Sequence, residues 1–313
     1  MRKLTLIVFI CLFALLFVNN PLTTDYVSGL KSEAVMKQRD TLYKNIENRA
    51  PDYYIAPMDA RIDPVWKAIP ALNGLQVDIE ASYKKMKAEG QFTEEKLVLK
   101  QIKPNILLSD LPPTPIYKGH PHKEMVSFLI NVAWGNEHLA DMLSTLKKYN
   151  VHASFFLEGR WVQNNPELAK MIIDAGHEIG NHSYTHPDME KISAYQGKEE
   201  IQKTNKVIQA ITDKPVQWFA PPSGSYRDEI VRIAAQEKLG TILWTVDTVD
   251  WKNPTPEQLL HRVMSKVHNG AMILMHPTDS TAKSLEQLII QLQQKKLQIV
   301  TVSELLSPER PLK

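Results

Sequence analysis

Apolar and polar positions from residue 124 to residue 308 follow two alternating patterns. Short apolar runs cover residues 126–132, 153–157, 216–219, 241–246, 271–275 and 298–302. Between these runs, apolar residues recur at helical spacing, as Leu139, Met142 and Leu146 do. Alternating strands and helices predict an α/β fold with a parallel sheet. About seven such units predict a closed or nearly closed (β/α) barrel, with functional groups at the carboxyl ends of the strands.

The chain begins with an apolar run over residues 4–18, directly after Arg2 and Lys3. A basic flank before a short apolar core is typical of a signal peptide or an uncleaved membrane anchor. The buried first helix of a cytosolic protein is the alternative, but a run that is apolar on every face argues against it. No small-residue cleavage site follows the run, so an anchor is favoured over cleavage. We expect residues 1–27 to direct export, leaving the protein extracytoplasmic, either membrane-anchored or secreted.

Residues 28–105 predict a small mixed α/β N-terminal region or stalk to which no chemistry can be assigned. The expected elements are a polar helix over 28–50, a helix over 78–88 and a strand over 96–102. Five prolines between Pro104 and Pro121 predict an extended linker, or a strap packed on the next domain, over 106–123. The barrel domain is then expected to cover residues 124–308.

The composition narrows the possible functions and adds little else. Of the 313 residues, 43% are hydrophobic, which is ample for a buried core. The net charge of +2 is too balanced to indicate a nucleic-acid partner. Cys11 is the single cysteine, so an intrachain disulfide is excluded.

Two histidines, His182 and His186, lie four residues apart between Gly180 and Pro187. The flanking glycine and proline predict a loop at the end of a strand rather than a helix. Two imidazoles on such a loop can converge on one divalent metal ion. Because the chain has ten histidines, one packed and one surface histidine is the alternative interpretation.

Other chemically useful side chains also follow apolar runs. Asp250 and His276 come after neighbouring runs, and a carboxylate can orient an imidazole that acts as a general acid. Trp251 could form the wall of a sugar pocket. The loop with Pro222 and Ser223 is rigid and can present backbone N–H groups to an oxyanion. A helix cap, a core tryptophan, a structural histidine and an ordinary turn are the respective alternatives.

Together these motifs resemble those of the polysaccharide deacetylase family, also called the NodB homology domain or carbohydrate esterase family 4. The matches are His182 and His186 to its His-Ser/Thr-x-x-His motif, Asp247, Asp250 and Trp251 to Asp-x-x-Asp-Trp, and His276 to Leu-x-His. The resemblance implies a distorted (β/α) barrel and a divalent metal, commonly zinc, on the two histidines. It also implies removal of acetyl groups from a chitin-like polymer, peptidoglycan or xylan, so a cell-wall polysaccharide is the expected partner.

The chain departs from the family pattern at the first motif. Asn131 and Val132 stand where the family has its general base and its third metal ligand, and Ala220 replaces the arginine that holds the base. An amide cannot take up a proton and a valine cannot bind a metal. The resemblance therefore implies an activity that is weak or lost. Glu158 and Asp188 are the candidates for a compensating metal carboxylate.

Three functions follow from these observations. The first is metal-dependent hydrolysis of N-acetyl groups on a cell-wall glycan. The second is a non-catalytic, glycan-binding pseudoenzyme of the cell envelope that uses Trp251, Tyr184 and Trp134 as sugar platforms. The third is a scaffold anchored by residues 4–18 that docks through residues 51–105.

Overall fold

The computed structural model describes residues 20–212 and 215–311, with the backbone alone over 31–40. The apolar run 4–18 lies outside these residues. None of the helices in the described part of the chain is long and apolar enough to cross a membrane.

The strands are β1 (Arg61–Asp63), β2 (Lys67–Ile69), β3 (Gly74–Val77), β4 (Leu99–Ile102), β5 (Met125–Val132), β6 (Ser154–Leu157), β7 (Glu178–Asn181), β8 (Trp218–Phe219), β9 (Gly240–Thr241), β10 (Val246–Asp247), β11 (Met272–Met275) and β12 (Gln298–Ile299). The α-helices are α1 (Pro21–Arg49), α2 (Ile79–Met86), α3 (Asn136–Lys148), α4 (Gly159–Asn164), α5 (Pro166–Asp174), α6 (Ala194–Thr212), α7 (Asp228–Gln236), α8 (Pro256–Met264), α9 (Asp279–Gln294) and α10 (Val302–Leu306).

The described chain divides into two compact units. The smaller comprises residues 20–56 and Gly74–Ile102. It contains α1, the antiparallel pair β3 and β4, and α2, which begins where the Asp78 side chain accepts a hydrogen bond from the Ala81 N–H at 3.0 Å. Its core includes Leu42, Ile46 and Met86. The larger unit comprises Pro57–Asn73 and residues 103–311.

A parallel sheet forms the centre of the larger unit, in the order β10-β11-β5-β6-β7-β8-β9, with β12 also paired to the start of β5. Every residue of β5 is buried, as expected for a central strand of a parallel sheet. The sheet curves into a half-barrel with helices outside it, which confirms the predicted distorted (β/α) barrel.

Alternate residues of β5 face two different cores. Phe128, Ile130 and Val132 pack in the cluster that includes helix residues such as Leu139 and Leu285. Leu129 packs in a second cluster with Phe156 and Met272 from the neighbouring strands. Because side chains alternate along a strand, Asn131 points to the same side as Leu129, the inside of the barrel.

The single strand predicted over 241–246 is wrong. Its two ends form separate strands, β9 beside β8 and β10 beside β11, at opposite ends of the sheet order. Between them the Leu243 N–H donates to the Ile116 carbonyl at 2.8 Å, and the Thr245 N–H donates to the Met272 carbonyl at 3.2 Å. The change of partner turns a continuous apolar run into two short strands.

The proline-rich segment 106–123 packs on the barrel through its backbone. The Ile116 N–H donates to the Thr241 carbonyl at 2.9 Å, and the Gly119 N–H donates to the Gly270 carbonyl at 2.8 Å. The segment is therefore hydrogen-bonded to β9 and to Gly270, two residues before β11.

Candidate functional site

A cavity of about 360 Å³ lies at the carboxyl ends of β5, β7, β10 and β11. Six of the eight predicted site residues line it, namely Asn131, His182, His186, Ser223, Trp251 and His276, whereas Asp250 and Pro222 do not. This is the end of the barrel where the strand pattern places functional groups.

Asp250 and His276 form the predicted couple. The Asp250 Oδ1 atom is 2.8 Å from His276 Nδ1, and Oδ2 accepts a hydrogen bond from the His276 backbone N–H at 2.6 Å. Asp250 is fully buried, so the carboxylate fixes the imidazole in one orientation with its Nε2 atom free to face a ligand. Trp134 stacks on the ring of His276 with 5.6 Å between ring centroids and 11° between the planes.

Thr281 completes this couple, although no feature of the sequence singles it out. Its hydroxyl donates to Asp250 Oδ2 at 2.6 Å, and its backbone N–H donates to the hydroxyl of Thr278, which caps α9. In the sequence, Thr281 is an ordinary residue in the first turn of a helix. The topology brings this turn against the buried carboxylate.

His182 and His186 lie together on the loop after β7, with 5.0 Å between their ring centroids. His182 Nδ1 is 2.7 Å from the Ala220 carbonyl oxygen, which leaves Nε2 to face the cavity. Burial and the neighbouring His186 lower the pKa of His182 to about 3, and burial lowers the pKa of His186 as well. Both imidazoles are thus favoured in the neutral form that binds metals.

The histidine loop is held in an uncommon conformation. Ser183 and His186 have left-handed φ values of 62° and 57°. The Glu200 carboxylate accepts hydrogen bonds from the backbone N–H groups of Tyr184 and Thr185 at 2.8 and 2.7 Å. Glu200 lies on α6, and its role could not be read from the sequence because it depends on where that helix packs.

Asn131 lines the cavity and is 3% exposed. Its Oδ1 atom is buried and accepts no hydrogen bond from the described part of the chain. Its neighbour Val132 is fully buried in the core cluster on the helix side of the sheet. The residue at the predicted ligand position therefore lacks a donor atom and also packs away from the two histidines.

The donor set does not fit the zinc centre that the resemblance implies. Catalytic zinc is typically held by three protein ligands with water in the fourth position. Across residues 20–212 and 215–311, no group of three or more His, Cys, Asp or Glu side chains is placed to hold a metal ion. His182 and His186 supply two imidazoles, and the end of β5 supplies no third metal ligand.

Glu158 and Asp188, the candidates for a compensating ligand, are engaged elsewhere. Glu158 caps α4, where its Oε2 accepts from the Trp161 N–H at 2.6 Å, and burial raises the pKa of this carboxyl. Asp188 accepts a hydrogen bond from the Ser225 hydroxyl and lies 2.9 Å from Lys191 Nζ.

The loop after β8 is shaped by tight packing. Pro222 is buried, and Ser223 lines the cavity with a left-handed φ of 55°. Gly224 has φ 68°, and a Cβ atom there would lie 2.7 Å from the ring of Trp244, another cavity residue. Only glycine allows the tryptophan to approach this closely.

The aromatic residues proposed as sugar platforms divide into two groups. Trp134 and Trp251 line the cavity and are 45% and 54% exposed. Tyr184 lies outside the cavity wall, and its hydroxyl donates to Gln163 Oε1 at 2.5 Å. The Trp251 segment is strained, because Val249, a β-branched residue, has a left-handed φ of 54°.

Comparison with known proteins identifies the family. The family model "Polysaccharide deacetylase" matches residues 118–242. The chain is 53% identical over 310 residues to the uncharacterized protein YlxY of Bacillus subtilis (strain 168), covering 98% of this chain and 97% of that protein. The chain belongs to the polysaccharide deacetylase family, carbohydrate esterase family 4.

Two further relatives are informative about the site. The crystal structure of a carbohydrate esterase family 4 pseudoenzyme from Bacillus anthracis matches with a TM-score of 0.81 and 53% identity, over 86% of this chain and 96% of that one. A mutant of that pseudoenzyme is described as having restored enzymatic activity. The peptidoglycan-N-acetylglucosamine deacetylase of Bacillus cereus (strain ATCC 14579) is 28% identical over 202 residues, which is 63% of this chain and 74% of that protein.

Proposed function

We propose that this protein binds a cell-wall glycan in the barrel cavity without hydrolysing it. The end of β5 carries the proposal. A neutral amide, Asn131, occupies the position of the general base, and Val132 packs on the far side of the sheet. Activation of a metal-bound water requires a proton acceptor and a complete ligand set. The proton acceptor and the ligand set are both altered here, while His182, His186 and His276 still line the cavity.

The shape of the surrounding surface supports a polymeric ligand. A groove of about 570 Å³ adjoins the cavity and shares Trp134 and His186 with it. The exposed rings of Trp134 and Trp251 offer broad amphipathic faces of the kind on which sugar rings pack. Two named relatives, a peptidoglycan deacetylase and a pseudoenzyme, support a peptidoglycan ligand and an absence of turnover respectively.

Export forms part of the same proposal. Peptidoglycan lies outside the cytoplasmic membrane, and Arg2 and Lys3 with the apolar run 4–18 are typical of an export signal or anchor. Protease added to intact, wall-stripped cells should digest the protein. Full protection, with digestion only after lysis, would contradict this part of the proposal.

Slow metal-dependent deacetylation is the second candidate function. The observation that favours it is the intact couple of His276 and Asp250, which is arranged as a general acid and its orienting carboxylate. Such activity would need a base and a ligand other than those expected at Asn131 and Val132.

Acetate release separates the two candidates. The full-length protein is incubated with peptidoglycan and with chito-oligomers in the presence of zinc or cobalt, with His182→Ala as the control. We expect no release above the control, together with retention of the protein on peptidoglycan. Acetate release that disappears in His182→Ala would show a working deacetylase, and failure to bind any glycan would refute the binding proposal.

A further inference from the structure

The cavity that would hold the glycan presents one carboxylate to a ligand. The carboxylate of Asp247 lines the same cavity, and its Oδ1 accepts from the Val249 N–H at 2.8 Å, leaving Oδ2 for a ligand. A carboxylate oxygen open to the cavity favours a ligand that brings a charged donor.

The charge of the cavity lining also favours a cationic ligand. None of the described side chains lining it is lysine or arginine, and Ala220 takes the place of the family's arginine. The other nearby carboxylate, Asp250, already accepts hydrogen bonds from His276 and Thr281. Asp247 is therefore left as a carboxylate whose charge a ligand can match.

The aromatic walls are also suited to a cation. Trp134, Trp244 and Trp251 all line the cavity. The face of an indole ring attracts an ammonium group within about 6 Å of the ring centroid. One uncompensated carboxylate and three indole rings together describe a site for a primary ammonium group.

We infer that the cavity recognises a glycan unit with a free 2-amino group, a glucosamine of deacetylated wall polymer, in preference to the N-acetylated sugar. The inference rests on the proposed glycan-binding function. An ammonium group donates to the Asp247 carboxylate and packs against the indole rings of the cavity wall. An acetamide is neutral and offers a single N–H, so it matches neither the charge of Asp247 nor the indole faces as an ammonium group does.

Isothermal titration of the full-length protein tests this preference. The probes are a glucosamine tetramer, an N-acetylglucosamine tetramer and, as an amine without a sugar, putrescine. We expect the glucosamine tetramer to bind at least tenfold more tightly than the other two, in line with one charge-assisted hydrogen bond. Equal binding of the two tetramers would overturn the inference while leaving the glycan-binding function intact.

Two substitutions locate the effect. Asp247→Asn keeps the Oδ1 acceptor for the Val249 N–H and removes the charge, so it should weaken glucosamine binding about tenfold while N-acetylglucosamine binding changes far less. Asp174→Asn, at an exposed aspartate on α5, is the matched control. An unchanged affinity in Asp247→Asn, or putrescine binding as tight as the tetramer, would refute the inference. Binding of neither tetramer would refute the proposed function itself.

Discussion

Asp250 shows why part of a catalytic arrangement persists where the chemistry has changed. Its carboxylate is fully buried and accepts hydrogen bonds at 2.6 to 2.8 Å from the backbone and ring of His276 and from the Thr281 hydroxyl. A buried carboxylate is stable only when it is well paired. The couple therefore holds the β11 end and the start of α9 in place, whether or not His276 transfers a proton.

Substitution of Thr281 by valine removes the hydrogen bond to Asp250, and the acceptor for the Thr278 hydroxyl, with little change in shape. We expect Thr281→Val to lower the free energy of unfolding by about 1.5 to 3 kcal/mol, because Asp250 loses a charge-assisted donor. Urea denaturation measures this. Thr114→Val removes an exposed hydroxyl that donates to the Pro112 carbonyl and is the control. Equal losses of unfolding free energy in the two variants would contradict a larger contribution from the hydrogen bond to Asp250.

The position of Val132 makes a second prediction at the residue scale. Its side chain lies among apolar residues on the helix side of the sheet, so Val132→Asp alone places a carboxylate in the core. We expect a loss of about 3 kcal/mol or more, measured by denaturation. Val65→Asp, at a residue that is 71% exposed, should be nearly neutral. A Val132→Asp variant as stable as the native chain would mean that the end of β5 turns readily toward the cavity.

At the scale of elements, the local hydrophobic pattern predicts individual helices and strands. It does not predict where a strand changes its hydrogen-bonding partner. Helix α3 was predictable because Leu139, Met142 and Leu146 repeat at helical spacing and are buried. The loop carrying His182 and His186 follows a strand, as the bracketing glycine and proline indicated. The division of residues 241–246 between two strands depends on Ile116, more than a hundred positions away. Thr281 and Glu200 were missed for the same reason, since their partners are set by topology.

The loop after β8 provides a prediction about one element. Gly224→Ala would strain a residue with φ 68° and push a methyl group against Trp244 in the cavity wall. Gly176→Ala has the same kind of strain, with φ 80°, but its nearest contact is 3.4 Å away on His152. We expect Gly176→Ala to lose about 1 kcal/mol of stability from backbone strain, and Gly224→Ala to lose more because of its contact with Trp244. Only Gly224→Ala should weaken glycan retention, and an equal weakening in Gly176→Ala would contradict this role for Trp244.

At the scale of the whole molecule, the barrel retains its architecture around an altered rim. The strands that bring the Asp250, His182 and His276 motifs together are all present and parallel. The departures from the family motifs described above lie at the end of β5 and at Ala220, which supplies the carbonyl that contacts His182. Because the core is built from the whole sheet, the fold can lose metal-binding side chains at one rim without losing its cavity.

If the altered rim is the sole obstacle to metal binding, restoring its donors should restore zinc binding. The double variant Asn131→Asp/Val132→Asp adds two carboxylates to His182 and His186, and zinc binding would draw the second carboxylate out of the apolar core. A ligand at a hundred times its Kd adds about 2.7 kcal/mol to stability. We therefore expect zinc to raise the melting temperature of the double variant by about 5 °C relative to chelator. The native chain and Asn131→Asp alone should show no such shift, and His182→Ala in the double variant should abolish it. If zinc does not raise the melting temperature of the double variant, the cavity differs from a zinc site at more than the rim. In that case, adding Ala220→Arg should not recover acetate release.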